Sequence, residues 1–328
     1  MCCFLTKEKM KKLSLFLSAP ILSIPFVAIS CSNENQDFFD NLNLNSTFVV
    51  EKDKIEEVGK IFDSMIETEE IINFETKEKR IVSKSLWEKF SAVDGKITRI
   101  FDGDTVEVLI ENKLVESNNA FNVGDKVKVR IPLIDTLEQN VKDVTEREKK
   151  LSHIDTEYVH NVLKPGTKVR LISDNWTDGS YDRKIAYLFF GEGFKKNFSI
   201  DMLANGWTLP RINNNDLIAF ISDFNNVDKS SVKSYLLPFV ARAFNHGYIN
   251  KKGFYVNEGV NITLNNEQIN IKFNLPMDLA KEYIAHGSTL MSDAYQFLYP
   301  FNIEKKNRPK FGNPKNNIYE FLKSIKQK

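Results

Sequence analysis

Two short stretches hold the residues best suited to chemistry. Ile100-Phe101-Asp102-Gly103-Asp104-Thr105-Val106 and Val129-Arg130-Ile131-Pro132-Leu133-Ile134-Asp135-Thr136-Leu137-Glu138 each set carboxylates at the edge of an apolar, strand-like run. A strand buries one face, so an acid there needs water, a cation or a basic partner to offset its desolvation. If the two stretches meet in space, Asp104 and Asp135 supply the charged oxygens that Ca²⁺ prefers, with a backbone carbonyl and waters completing about six to eight ligands. Arg130 reads two ways, as a partner of those acids or as a cation facing a bound anion.

A third stretch, Gly179-Ser180-Tyr181-Asp182-Arg183-Lys184-Ile185-Ala186-Tyr187-Leu188, delivers Arg183 from a turn into another apolar run. Two arginines with three acids suit phosphate chemistry. Taken in order, D-G-D-T-V, R-x-x-x-x-D-T-x-E and Y-x-R-x-x-A-Y make the chain resemble the staphylococcal nuclease (thermonuclease) family. Each pattern alone is weak, but their order and spacing together are specific. The resemblance runs from about Asp94 to Tyr255.

It implies roles residue by residue. Asp104 and Asp135 are expected to bind Ca²⁺ through their carboxylates and Thr136 through its carbonyl. Glu138 would be the acid nearest the attacking water, as general base or as orienting group. Arg130 and Arg183 would stabilise charge developing on the phosphate, because a guanidinium is ionised at any working pH and forks onto two oxygens. Asp102 would support the site from behind, and Tyr181 would hydrogen-bond a neighbouring phosphate.

Each assignment has a plainer rival. Asp102-Gly103-Asp104 alone is most often a hairpin turn. Arg130 is otherwise a surface strand cation, Arg183 a partner of Asp182, and Glu138 an acid opening the next helix. The chain also departs from the family pattern. Leu137 stands where a proline is usual, Ser180 where a lysine is usual, and Asp182 where a glycine is usual, so a left-handed backbone at 182 would be strained. His153, His160, His246 and His286 are too scattered for a metal cluster.

The elements that must position these residues follow from periodicity. Ile97 to Ile110 reads as one strand bent at Gly103, with further strands over Lys126 to Ile134, Lys168 to Ile172 and Lys184 to Phe190. Val144 to Leu163 reads as a helix stopped by Pro165-Gly166, Phe198 to Ala204 as a helix closed by Asn205-Gly206, and Val232 to Phe244 as a helix ended by His246-Gly247. Asn213 to Asp216 is a loop candidate beside the site. The expected class is α+β: a five-stranded OB-type Greek-key β-barrel with packed helices, spanning 91–255.

Outside that domain the reading is coarser. Residues 1–30 have lysines ahead of an apolar run ending Ala28-Ile29-Ser30, a secretory signal, and Cys31 makes it look like a lipoprotein signal with the lipid on that thiol. An uncleaved anchor is the rival, and Met10-Lys11-Lys12 also makes a natural start. All three cysteines, Cys2, Cys3 and Cys31, lie in or at the end of this leader, which removes zinc-ribbon and cysteine-hydrolase classes. Residues 31–90 read as a polar tether and a helical spacer, in which Ile55, Val58, Ile61, Phe62, Met65 and Ile66 recur at helical spacing. The extension 256–328 holds a hairpin around Asn265-Asn266, a mixed stretch from Pro276 to Phe301, and a basic tail with Phe311, Tyr319 and Phe321 interleaved.

At 328 residues and 42% hydrophobic content the chain can bury a substantial core, and a net charge of +1 neither demands nor excludes a polyanionic partner. The expectation is a monomeric, lipid-anchored, Ca²⁺-dependent nuclease on the outer membrane face, cutting DNA and RNA to 3′-phosphates for nucleotide scavenging. The main alternative is a non-catalytic nucleic-acid or protein binding module on the same barrel, and a surface adhesin is a third class.

Overall fold

A computed structural model describes residues 52–286, except 74, 117, 140, 141, 143, 213–215, 217–222, 224, 225 and 227. The leader with Cys31, the tether, residues 213–215 of the loop candidate, and the basic tail lie outside the described residues.

The spacer begins as a 3₁₀-type helix, Lys52–Asp63. Its apolar spacing has the expected result: Ile55, Val58 and Phe62 are buried against the rest of the domain. The Phe62 ring sits 5.0 Å from Trp87 and 5.2 Å from Phe189. Gly59 permits this docking, since a Cβ there would lie 2.2 Å from the Phe194 carbonyl. The helical period ends sooner than expected. Met65 and Ile66 instead start β1 (Met65–Asn73), which pairs antiparallel with β2 (Glu78–Ser85). Glu69 meets Lys79 at 2.6 Å across that pair, and such cross-strand charge matching is invisible to a test of helical periodicity. Ser85 and Glu88 then form a capping box for the single turn α1 (Leu86–Lys89).

The 97–110 stretch is two strands rather than one bent strand. β3 (Val93–Ile100) and β4 (Thr105–Lys113) pair antiparallel around residues 101–104, because Asp102-Gly103-Asp104 makes a true reversal. The amide of Phe101 closes it onto the Thr105 carbonyl at 2.9 Å. β5 (Lys126–Arg130) pairs with β4 and sets Arg130 opposite Thr105. Pro132 has no amide to donate and breaks the expected second strand, so β6 (Leu133–Asp135) follows as a separate piece. α2 (Glu146–Val162), capped by Thr145, leads to β7 (Lys168–Ile172). β8 (Gly179–Ser180), β9 (Arg183–Ile185), β10 (Tyr187–Phe190) and β11 (Lys196–Asn197) complete a mixed sheet with the order β11-β10-β7-β3-β4-β5-β9-β8. β9 and β10 are one stretch interrupted at Ala186, the first bonded parallel to β5 and the second antiparallel to β7.

α3 (Phe198–Ala204) is followed by β12 (Leu209–Arg211), which pairs with β6 in a small sheet of its own. α4 (Val232–Ile249) runs past the expected stop at His246-Gly247. Gly247 serves close packing instead, since a Cβ there would lie 2.3 Å from the Leu203 carbonyl of α3. The predicted hairpin is present as β13 (Val260–Leu264) and β14 (Glu267–Ile271), with Asn265 and Asn266 both at positive φ, and α5 (Pro276–Ala280) follows. The architecture is thus α+β, a large mixed sheet with several helices. Among the described residues no helix is long and apolar enough to cross a membrane.

Candidate functional site

The β4–β5 register and the 101–104 reversal bring the first two chemical stretches together. Asp104 is 5% exposed at the end of the turn, and Asp102 Oδ1 accepts its amide at 3.1 Å. One Asp104 oxygen accepts the Thr105 hydroxyl at 3.0 Å. The other accepts the Thr136 amide at 3.3 Å and its hydroxyl at 3.1 Å. Gly103 is required for this contact, because a Cβ at 103 would lie 2.5 Å from Thr136 Cγ2.

Arg130 sits between the acids. One terminal nitrogen pairs with Asp104, and the other donates to Asp135 Oδ1 at 2.8 Å. Both also donate to carbonyls, those of Ile131 at 3.3 Å and Ile134 at 3.4 Å. Burial opposes the Arg130 charge, but Asp104, Asp135 and Asp102 outweigh it and hold the guanidinium firmly protonated. Asp102 feels the reverse: burial, then the charge of Asp104, pushes its carboxyl up to about 6. Of the two readings of Arg130, this structure has it partnering the acids. The hairpin-turn reading of Asp102-Gly103-Asp104 is also realised, and that turn is what aims Asp104 inward.

The third stretch joins through Thr105, whose hydroxyl accepts from Arg183 at 3.1 Å. Ser180 steadies the same guanidinium through its carbonyl and hydroxyl, each at 3.2 Å. Asp182 reaches Lys128 at 3.4 Å rather than Arg183. The left-handed residue of this turn is Tyr181, with φ at 60°, so Asp182 is spared the strain that a left-handed backbone would bring there. Tyr181 is thereby turned outward and is 98% exposed.

Glu138 behaves differently from the other predicted residues. Its backbone amide donates to Glu148 of α2 at 3.3 Å, which ties the 136–139 segment to that helix. Gln139 donates to Thr156 at 2.9 Å, and the Leu137 amide to Asp155 at 3.3 Å. Leu137 is wholly buried, so packing does the anchoring that a proline would otherwise help provide. Among the described residues no three His, Cys, Asp or Glu side chains are grouped to hold a metal. The donors that fit a hard cation are Asp104, Asp135 and the Thr136 carbonyl. The fit rests on chemistry in view: two nearly buried carboxylates from separate elements already share one positive group.

Two residues of this cluster escaped the sequence. Arg211 donates to Asp135 Oδ1 at 3.1 Å from β12, far along the chain, and nothing in the residues around it signals this. Asp155 did leave a signal, since it interrupts the buried face of α2 between Leu151 and Val159. It is fully buried, and burial raises its carboxyl well above the usual range despite bonds from Leu137 and Thr156. The folded chain therefore binds this proton more readily than the unfolded one, so stability falls as pH rises from the ordinary carboxylate value near ~4 towards the raised one. Asp155→Asn keeps an acceptor for the Leu137 amide and is expected to flatten that fall in urea midpoints measured against pH. An unchanged slope would assign the fall to another group.

Compared with protein-family models and with curated proteins, the chain matches none. The functional reading rests on the site itself.

Proposed function

We propose that the chain is a Ca²⁺-dependent, sugar-non-specific nuclease that hydrolyses phosphodiester bonds of DNA and RNA. The observation that carries this is one connected cluster from three remote stretches: Arg130 bridging Asp104 and Asp135, with Arg183 joined to Asp104 through the Thr105 hydroxyl. The underlying scaffold is proposed to be a five-stranded OB-type barrel. In its support, the single stretch 183–190 bonds to β5 at one end and to β7 at the other, the two sides that closure must join.

Attack on a phosphodiester adds negative charge at phosphorus, so groups that bind the transition state better than the ground state are cationic and held in place beforehand. Arg183 meets that need, being half-buried and bonded on three sides. Arg130 is fixed by two acids and two carbonyls and contributes its charge from the same side. Glu138 orients the attacking water or takes its proton, on a segment that α2 keeps from drifting. A divalent cation bound by Asp104, Asp135 and the Thr136 carbonyl would polarise the phosphate and acidify a water. The cellular setting proposed with this activity is the outer membrane face, with a lipid on Cys31 as anchor, a monomeric chain, and nucleotide scavenging as the role.

A non-catalytic nucleic-acid or protein binding module is the second reading, favoured by the full engagement of Arg130 with Asp104 and Asp135. One experiment separates them. Plasmid and RNA are incubated with the protein in Ca²⁺ or chelator, alongside Glu138→Gln. The nuclease reading expects cleavage that chelator abolishes and that Glu138→Gln lowers by about 10²- to 10⁴-fold. Binding without cleavage in Ca²⁺ would leave the second reading.

A further inference from the structure

Next to the acid–arginine cluster, the sheet carries a second basic feature. Arg99 Cζ lies 4.6 Å and Lys128 Nζ 4.7 Å from the centroid of one ring, that of Phe101. This half-buried ring directly precedes the Asp102–Asp104 turn. Strand register explains the gathering. Arg99 is opposite Glu107, and Glu107 is opposite Lys128, so the three form a row across β3, β4 and β5. The neighbouring row on that face is Thr105 with Arg130. Lys128 thus stands two residues from Arg130 on the same side of β5, about 6.6 Å along the strand, comparable with one phosphate step of an extended polynucleotide. The parallel pairing of Val129 with Lys184 sets Arg183 level with Lys128 in the next strand.

Gathering two like charges on one ring needs compensation. The ring quadrupole supplies part of it. The remaining counter-charge is modest: Asp182 meets Lys128 at 3.4 Å while itself 72% exposed, a geometry of little worth in water. The Glu107 carboxylate accepts the Thr98 hydroxyl at 2.6 Å, and among the described residues Arg99 has no salt-bridge partner. An anion beside Phe101 would satisfy both cations. We propose that Arg99 and Lys128, carried on Phe101, form a second phosphate subsite for the phosphate adjoining the reacting one in a single-stranded polynucleotide.

The inference rests on the nuclease reading and adds strand state to it. Asp104 and Asp135 are 5% and 2% exposed, so a reacting phosphate must dip inward while its neighbour stays on the sheet surface. A single strand bends that sharply. A duplex, stiff over about 50 nm, does not. Cationic tracks with aromatic side chains on such sheets are a recurring way to hold single strands.

The test is fluorescence anisotropy of the full chain in chelating buffer, with a labelled oligothymidylate, a labelled 5′-mononucleotide and a labelled duplex. Arg99→Ala/Lys128→Ala is expected to weaken the oligothymidylate about tenfold and to reduce the slope of log K against log salt by about 1.4, two contacts at ~0.7 each. Phe101→Leu, which keeps both cations but not the ring, is expected to lose affinity in the same direction by less. Mononucleotide affinity should be unchanged in both, and the wild type should prefer the single strand to the duplex. An unchanged salt slope, an equal loss on the mononucleotide, or a wild-type preference for duplex overturns the subsite. Wild-type protein that binds no nucleic acid at low salt overturns the nuclease reading as well.

Discussion

Arg130→Ala is expected to cost about 3–5 kcal/mol of folding stability, because it removes the buried cation that two nearly buried carboxylates, Asp104 and Asp135, share. The Arg130 guanidinium pairs with both Asp104 and Asp135, and Asp135 also meets Arg211, which is 46% exposed and reaches one oxygen. The same argument predicts how the loss is repaired. A divalent cation that binds the two acids restores the missing charge and, by favouring the folded state alone, adds stability that grows with concentration. Millimolar Ca²⁺ should therefore raise the Tm of Arg130→Ala by more than it raises that of the wild type, where the guanidinium competes for the same oxygens. Mg²⁺ should do less, since it gives up its waters reluctantly. A variant whose Tm ignores Ca²⁺ would remove Asp104 and Asp135 as a cation site, whatever the activity assay says.

Arg183→Ala should behave in the opposite way. Its partners are the buried Thr105, whose hydroxyl keeps its bond to Asp104 without it, and the half-buried Ser180, so the fold is expected to lose only about 1 kcal/mol. Turnover on a single-stranded substrate is expected to fall by about 10²- to 10³-fold, the usual consequence of deleting one preplaced group that meets transition-state charge. KM should move little by comparison, and Arg183→Lys should recover only part of the rate, since an ammonium cannot fork onto two oxygens. Equal losses in kcat/KM and in Tm would mean that Arg183 acts as a structural strut. The contrast between the two arginines follows from their surroundings: one lies between buried acids, the other reaches out from a turn.

The residues that converge were legible because chemistry leaves its mark on composition. Acids and arginines at the edges of apolar runs are costly unless used, so Asp104, Arg130, Asp135 and Arg183 stood out without coordinates. Helix α2 and the Asn265-Asn266 hairpin were equally plain, through a Pro-Gly stop and paired asparagines. Turns were harder. The Asp102–Asp104 reversal separates two strands that read as one bent strand, since Ile100 and Val106 have the same character on either side. Spacer residues Met65 and Ile66 kept an apolar rhythm that fits a helix until cross-strand pairing is known.

By itself, then, the order of residues along the chain determined which side chains carry charge at the edges of strands, and hence the class of chemistry proposed. Only the tertiary structure decided their bonding. Arg130 spans both acids, Arg211 arrives from a strand remote along the chain, the amide of Glu138 is held by α2, and Arg99 meets Lys128 on one ring. Such contacts are set by register between strands, a property of pairs of segments, and no single segment records it.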